Sequence, residues 1–287
     1  MIPFRHFWLL LALLFFSGAI TANQILQCAD KNGRKIFTDD PRICARTGEP
    51  DSAAAVELAS LNVHSQYGET ISEEYRTYSF LTYSPVPGYS IRIMAEDALM
   101  EEAPEVLKKA SKKLEGTMAE AVRLYPQKIR GEFAQITYFL FVGKEASSGG
   151  RRGGQWYFRQ GNTVSQRFDD SIVVRSAARY VKTSHTSAVA TGVHELAHAY
   201  YHYHRSMFAR KTWAAYQNAK HAGLYRNIKS KTGYPIAKAY ALKNEREYFA
   251  ELSKTYLYRS STFPFTRQEL ELYDPMGYQL MREIYGL

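Results

Sequence analysis

The sequence contains few cysteines, no internal repeat and no nucleotide-binding motif. Two cysteines in 287 residues allow one disulfide at most, which excludes a fold held together by several bridges. The glycine-rich stretch at residues 147–154 lacks the Gly-Lys-Ser/Thr ending of a phosphate-binding loop, so we interpret it as a surface loop. The sequence has no membrane segment beyond an apolar stretch at its N-terminus. These absences argue against repeat proteins, nucleotide-dependent enzymes and multispan membrane proteins.

The N-terminal segment is the most apolar part of the chain. It has Arg5 near its start, an apolar run from Phe7 to Phe16 and small residues ending at Ala22, an order typical of a signal peptide. The run is short for a membrane span, although an uncleaved anchor is the alternative interpretation. We expect residues 1–22 to direct the protein to the periplasm or out of the cell and then to be removed. No stable membrane span is expected after that cleavage.

Export gives the two cysteines a structural interpretation. In an oxidising compartment Cys28 and Cys44 are expected to pair. Ile25–Ala29 and Lys35–Thr38 flank an Asn-Gly pair, which is a strong hairpin signal. A bridge that closes so short a loop adds about 3 kcal/mol to stability, and a unit of this size needs such a contribution. We predict a small disulfide-stapled β-hairpin domain over residues 23–45.

The net charge of +9 is concentrated in one segment of the chain. Between Arg205 and Asn244 there are nine Lys or Arg residues and no Asp or Glu. Tyrosines interleave with these cations, but no nucleic-acid recognition motif accompanies them, and an exported protein seldom meets nucleic acid. A solvated basic connection is the simplest interpretation. A surface for acidic substrates or for an anionic envelope component is the functional alternative.

The sequence from His194 to His198 is the H-E-x-x-H pattern of zinc metallopeptidases. On an α-helix, residues four apart lie on the same face, so His194 and His198 can reach one metal ion, while Glu195 lies about 100° around the helix. The stretch from Ala188 to Tyr203 contains no proline and has apolar residues at helical spacing. A helix carrying two metal ligands is therefore predicted there. Two ordinary surface histidines are the alternative.

A catalytic zinc site needs a third protein ligand, and two residues compete for that role. His204 stands where a longer form of the motif has its third histidine, but Tyr201 replaces the glycine that would break the helix. In an unbroken helix His204 lies about 15 Å from His194 along the axis, far outside metal reach. His204 and its neighbour His202 are therefore interpreted as polar residues at a helix end.

Glu247 is the stronger candidate for the third ligand. It lies one helical turn before Glu251 in a segment with an apolar row at helical spacing. In that arrangement Glu247 is expected to bind the metal, and Glu251 to accept the outer N–H of a ligating histidine. A solvated acidic helix face is the alternative interpretation of the two glutamates.

With these residues the chain resembles the gluzincin metallopeptidases, in which H-E-x-x-H on one helix is completed by a glutamate on a following helix. The stretch from Tyr240 to Glu251 is similar to the lethal-factor-like branch, where a tyrosine precedes the ligand glutamate by seven residues and Phe-Ala-Glu follows it. The tail from Pro264-Phe265 to Asp274-Pro275 and Tyr278 also resembles uncharacterised secreted bacterial proteins that carry both motifs. The resemblance covers about the last hundred residues well, and it covers the region before His194 poorly.

The resemblance implies zinc bound by His194, His198 and Glu247, with one zinc ion per chain. It implies that Glu195 is the general base that takes a proton from the attacking water. Tyr240 is implied as the donor that stabilises the oxyanion, although other tyrosines near the motif compete for that role. The expected reaction is the hydrolysis of a peptide bond in a peptide or protein substrate.

The predicted fold is α+β, with a zincin-like catalytic domain over residues 76–287 after a linker over residues 46–75. The domain is expected to have a mixed sheet on the active-site helix and a mainly helical C-terminal part. Either of two short strands is a candidate for the cleft edge that pairs with substrate in zincins. The elements predicted before the metal helix are a helix over Glu96–Tyr125 and strands over Phe133–Val142, Trp156–Phe158 and Ile172–Val174.

Two other functions agree with the same residues. One is a noncatalytic exported module that binds zinc structurally and holds an envelope component. The other is hydrolysis of an amide bond in peptidoglycan. The start of the chain also resembles a small domain of unknown function found in exported proteobacterial proteins, which supports a periplasmic address without indicating any chemistry.

Overall fold

A computed structural model describes residues 81–143, 154–162 and 164–286, together with two strands near the N-terminus. The chain divides into two units, residues 1–61 and residues 62–287. The predicted signal peptide and linker lie outside the described residues, as does the glycine-rich loop up to residue 153.

The first unit contains a two-stranded antiparallel sheet. Strand β1 (Leu26–Ala29) pairs with β2 (Lys35–Thr38), with Cys28 opposite Ile36. These strands agree with the hairpin that the Asn-Gly pair predicts. The predicted bridge between Cys28 and Cys44 lies outside the described side chains.

The second unit is built on a five-stranded mixed sheet. Its strand order is β3-β4-β5-β7-β6, in which β4, β5 and β7 are parallel and the two outer strands are antiparallel to their neighbours. All four residues of β7 are buried, as expected for an inner strand. The strands are β3 (Tyr83–Pro85), β4 (Arg92–Glu96), β5 (Thr137–Leu140), β6 (Gln155–Phe158) and β7 (Ser171–Val174).

The sheet agrees with three predicted strands and places β6 at an edge. Strand β5 is shorter than the predicted Phe133–Val142, because Gly131–Phe133 forms a 3-10 turn before it. Strand β6 pairs only with β7 among the described strands, so β6 and not β7 borders the open side of the sheet.

The predicted helix over Glu96–Tyr125 is wrong as a single element. The structure has α1 (Asp97–Glu102) and α2 (Pro104–Leu124), and Glu96 is the last residue of β4. A residue before proline is disfavoured in helical conformation, and Ala103 accordingly has φ −144° and ψ 55°. Proline fits the first turn of α2 because no helical hydrogen bond is lost there. A short helix, α3 (Gln127–Arg130), follows.

The predicted metal helix is present and packs closely against α2. After α4 (Ala177–Lys182), helix α5 (His185–Tyr203) begins behind Ser184, whose hydroxyl accepts from the Ser187 amide. A Cβ added at Gly192 would lie 2.9 Å from the sulfur of Met118, so the glycine allows the two helices to approach. This contact fixes α5 two residues before its first metal-ligand candidate.

The remainder of the second unit is mainly helical. Helix α7 (Glu245–Leu257) packs along α5, and α9 (Pro275–Tyr285) packs on α6 (Arg205–His221) and on α7. The α+β class is therefore confirmed. No helix in the described part of the chain is apolar and long enough to cross a membrane. The remaining elements are α6 (Arg205–His221), β8 (Arg226–Lys229), β9 (Pro235–Lys238), a 3-10 turn (Tyr240–Leu242), α7 (Glu245–Leu257), α8 (Arg267–Tyr273) and α9 (Pro275–Tyr285).

Candidate metal centre

Helix α5 presents its two candidate ligands on one buried face. His194 is 7% exposed, and the rings of His194 and His198 meet edge to face with centroids 4.7 Å apart. Glu195 is buried on the adjoining face. The four-residue spacing thus places the two imidazoles together, as helical geometry requires.

Helix α7 supplies the third candidate through its first turn. The side chain of Asn244 caps the helix by accepting from the amides of Arg246 (3.0 Å) and Glu247 (2.9 Å). The cap fixes where α7 begins, and Glu247 is then 8% exposed against α5.

The three candidate ligand atoms form a nearly equilateral triangle. Nε2 of His198 lies 3.1 Å from Nε2 of His194 and 3.1 Å from Oε2 of Glu247. The third side, from Nε2 of His194 to Oε2 of Glu247, is 3.2 Å. We call these three residues the metal group, because a set of two imidazoles and a carboxylate that converges in this way could hold a metal ion.

Glu251 lies behind His194, on the side away from the triangle. Its Oε1 is 2.9 Å from Nδ1 of His194, although the two atoms are not aligned as a good hydrogen bond. Burial alone would raise the pKa of Glu251. The opposing effect of Lys254, whose Nζ is 2.6 Å from Oε1, and of His194 is larger and lowers this pKa to about 2. Glu251 is therefore a carboxylate at neutral pH and faces the outer nitrogen of the histidine.

The metal group is strongly coupled electrostatically. Burial lowers the pKa of His194, but the carboxylates of Glu247 and Glu251 outweigh burial and raise this pKa to about 10. Burial likewise raises the pKa of Glu247, while His198 and His194 hold it well below its ordinary range. The centre thus favours positive charge between its histidines and Glu247.

Glu195 is held by the edge strand of the sheet. Its Oε2 accepts from the backbone amide of Tyr157 on β6 at 2.8 Å, so this amide points away from β7. Burial raises the pKa of Glu195, and Glu247 raises it further against the opposing effect of His194 and His198. A raised pKa brings a carboxylate closer to the range in which it exchanges protons at neutral pH.

Tyr240 lies beside the metal group and is half-exposed. Its ring centroid is 6.1 Å from that of His194, and its hydroxyl oxygen accepts from Nζ of Lys243 at 3.1 Å. Burial of its hydroxyl and the charge of Glu247 raise the pKa of Tyr240, so the phenol keeps its proton at neutral pH. Lys243 also lies 3.6 Å from Oε1 of Glu247, the carboxylate oxygen outside the triangle.

The other tyrosines near the motif use their side chains elsewhere. The hydroxyl of Tyr203 donates to Asp170, and that of Tyr248 donates to the buried Asp274 at 2.6 Å. Tyr200 packs in an aromatic cluster with its ring 6.0 Å from that of Tyr285. Among the candidate tyrosines, Tyr240 has the clearest contact with the metal group.

His204 is separated from the metal group by the unbroken helix. Its Nε2 lies 2.6 Å from Oε2 of Glu132, a residue of the 3-10 turn before β5. His202, one turn beyond His198, has its pKa lowered by burial first and by Arg159 second. These residues are polar groups at the helix end, as the sequence indicates.

Three residues of this centre escape a search for sequence motifs. Asn244 acts as a helix cap, and an asparagine directly before a helical pattern is a signal for that role. Lys243 lies four residues before Glu247, a spacing at which charges can meet. Tyr157 contributes a backbone amide, which no side-chain pattern can reveal.

The chain matches no protein-family model, no curated protein and no solved structure. The geometry of the centre therefore carries the functional argument.

Proposed function

We propose that this protein is an exported zinc metallopeptidase of the gluzincin type, with a zincin-like catalytic domain over residues 76–287. The observation that carries the proposal is the triangle of His194, His198 and Glu247 beside a buried Glu195. A structural metal site needs only its ligands. A catalytic site also keeps an open position, and we propose Glu195 as the base that acts beside it.

The donor set fits zinc. Tetrahedral ligands at about 2.0–2.1 Å from zinc lie about 3.3–3.4 Å from one another, close to the triangle's sides of 3.1, 3.1 and 3.2 Å. Nitrogen from two imidazoles and oxygen from one carboxylate suit zinc among the common divalent metals. Zinc, when bound, supplies Lewis acidity that lowers the pKa of a water and polarises a carbonyl.

The protein groups divide the proton transfers between them. Glu195 takes the proton of the attacking water and returns it to the nitrogen of the leaving amine, and its raised pKa suits both transfers. The amide of Tyr157 holds this carboxylate in place through a hydrogen bond to Oε2. Tyr240 keeps its phenolic proton and donates it in a hydrogen bond to the carbonyl oxygen as that oxygen gains negative charge.

Strand β6 is the proposed docking edge for the substrate. It pairs with β7 on one side only among the described strands, and its Tyr157 amide faces the metal helix. An extended peptide added to this edge would pass over Glu195 and the metal group. This assignment chooses between the two strands that the sequence leaves open.

Export completes the proposal. The signal peptide that the sequence predicts over residues 1–22 and the predicted bridge between Cys28 and Cys44 both fit a periplasmic or secreted protein. The partners proposed are a peptide or protein substrate and, as a second surface ligand, an anionic envelope component. No nucleic-acid partner is proposed.

Replacement of Glu195 by glutamine tests the function. The zinc-loaded parent protein should cleave members of a mixed peptide library, and Glu195→Gln should reduce the rate by at least about 10²-fold while it retains one zinc ion. Glu132→Gln is the matched control, because that carboxylate pairs with His204 outside the metal group. An active, zinc-loaded Glu195→Gln protein would contradict the mechanism.

A further inference from the structure

A cavity lies beside the start of β6, separate from the metal group. Its volume is about 600 Å³. The end of α4, the first half of α5 and the beginning of β6 form its walls. Its lining residues include Gln155, Arg179, Lys182, Thr183, Ala188 and Thr191.

The cavity lies close to Glu195 along both α5 and β6. Thr191 precedes Glu195 by one helical turn on the same face of α5, an axial distance of about 6 Å. Gln155 precedes Tyr157 by two residues of β6, and the Tyr157 amide binds Glu195. A peptide lying on the edge of β6 over Glu195 would therefore place a neighbouring side chain in the cavity.

The cavity wall is positively charged. Arg179 and Lys182 line it from the last turn of α4, and no Asp or Glu is among the described residues that line it. The carbonyl groups at a helix end would repel an anion. Here Nζ of Lys113 donates to the carbonyl oxygens of Val181 and Thr183, which offsets that effect.

We propose that this cavity binds the acidic side chain of an Asp or Glu in the substrate, at the residue directly after the cleaved bond. The carboxylate would meet Arg179 and Lys182, and the guanidinium geometry suits a carboxylate. The cavity is assigned to the residue after the cleaved bond because that residue carries the leaving amine. Glu195 must lie beside this amine to return the proton to it. This inference rests on the proposed peptidase function and adds a substrate preference to it.

Peptide binding to a protein that keeps its ligands but cannot turn over tests the cavity directly. The protein is zinc-loaded Glu195→Gln, and the probes are acetylated, amidated octapeptide pools. Each pool has Glu, Gln or Lys at one fixed position and uncharged residues elsewhere. The Glu pool should bind at least about tenfold more tightly than the Gln pool, the ratio expected for one charge-assisted hydrogen bond. The Lys pool should bind least.

Two charge-matched double variants locate the preference. Arg179→Gln with Lys182→Gln should bring the ratio of Glu to Gln binding close to one. Arg210→Gln with Lys220→Gln removes the same charge from exposed positions on α6 and should leave the ratio unchanged. Equal binding of the Glu and Gln pools by zinc-loaded Glu195→Gln protein would overturn the proposal. An equal loss of the preference for Glu in both double variants would overturn it as well.

Cleavage by the protein with Glu195 intact separates this inference from the proposed function. Cleavage products with Asp or Glu directly after the cut support both proposals. Cleavage without that preference overturns the cavity proposal and leaves the peptidase. A binding preference that depends on Arg179 and Lys182, with zinc bound but no cleavage, supports the cavity and contradicts the peptidase.

Discussion

Two buried polar clusters include residues of helix α7, and they are built differently. Glu247 belongs to the metal group, whereas its neighbour Tyr248 belongs to a cluster around Asp274, which is fully buried. Oδ2 of Asp274 accepts from the hydroxyls of Tyr225 (2.8 Å) and Tyr248 (2.6 Å), and Oδ1 accepts from the Gly277 amide (3.0 Å). We call these four residues the Asp274 cluster.

The difference lies in what satisfies the buried charge. The carboxylate of Asp274 receives three hydrogen bonds from neutral donors, so the cluster is complete as it stands. In the metal group, two imidazole nitrogens and a carboxylate oxygen face one another at 3.1–3.2 Å, and all three accept when deprotonated. Such a set needs a proton or a metal ion between its members. A buried cluster of the second kind could therefore hold a metal ion, whereas one of the first kind is complete without a ligand.

Removal of a ligand should have the largest effect, and it should affect zinc rather than the fold. Zinc sites with four ligands bind with about 10–16 kcal/mol, so one ligand contributes roughly 2.5–4 kcal/mol. His198→Ala should therefore weaken zinc binding roughly 10²–10³-fold in a competitive chelator titration, with the far-UV circular dichroism of the parent.

His204→Ala is the matched control for that titration, since His204 lies on the same helix but pairs with Glu132. Its zinc affinity should equal that of the parent. Equal weakening in the two histidine variants would show that helix damage, and not ligand loss, explains the result.

Damage to the Asp274 cluster should have the opposite outcome. Asp274→Ala leaves two buried hydroxyls without their acceptor and removes the side chain that caps α9. The free energy of unfolding should fall by about 2–4 kcal/mol, measured by urea denaturation. The zinc bound per folded chain should stay the same. Loss of zinc in folded Asp274→Ala protein would break the distinction between the two clusters.

A smaller effect is expected behind the metal group. Glu251→Gln keeps the shape but removes the charge that faces Nδ1 of His194. Groups that orient a metal ligand in this way are worth about 10–100-fold in metal affinity. The same titration should show that loss, with Glu132→Gln unchanged. Unchanged affinity in Glu251→Gln would mean that the misaligned contact contributes nothing to the site.

Zinc binding to the metal group should depend on pH. With the pKa of His194 raised to about 10, the apo protein holds a proton there at neutral pH, and zinc must displace it. Calorimetry in buffers of different ionisation enthalpy should detect the release of about one proton per zinc at pH 7. Affinity should rise about tenfold per pH unit up to that pKa. Binding without proton release would contradict the raised pKa.

The parts that the sequence predicts are those set by local spacing. His194 and His198 follow from helical periodicity, and Glu247 with Glu251 follows from the same rule on a second helix. The distance between α5 and α7 depends on tertiary packing, and no spacing rule provides it. The hydrogen bond from the Tyr157 amide to Glu195 requires that β6 lie at an edge of the described sheet. The order of the strands decides this, and local spacing does not reveal it.

Two features of the fold show different limits of sequence analysis. The break at Ala103 is signalled by Pro104, because the residue before a proline is disfavoured in helical conformation, and the prediction of one long helix did not use that signal. The sequence alone does not show that β6 rather than β7 is the open edge. Both strands are short and apolar, and only their pairing distinguishes them.

The zinc site itself is tested by the metal content of the purified mature protein, measured by mass spectrometry beside Glu247→Ala prepared in the same way. We predict one zinc ion per chain in the parent and little or none in the variant. Full zinc retention in Glu247→Ala, or no metal in the parent after zinc loading, would contradict the assignment of His194, His198 and Glu247 as a zinc site.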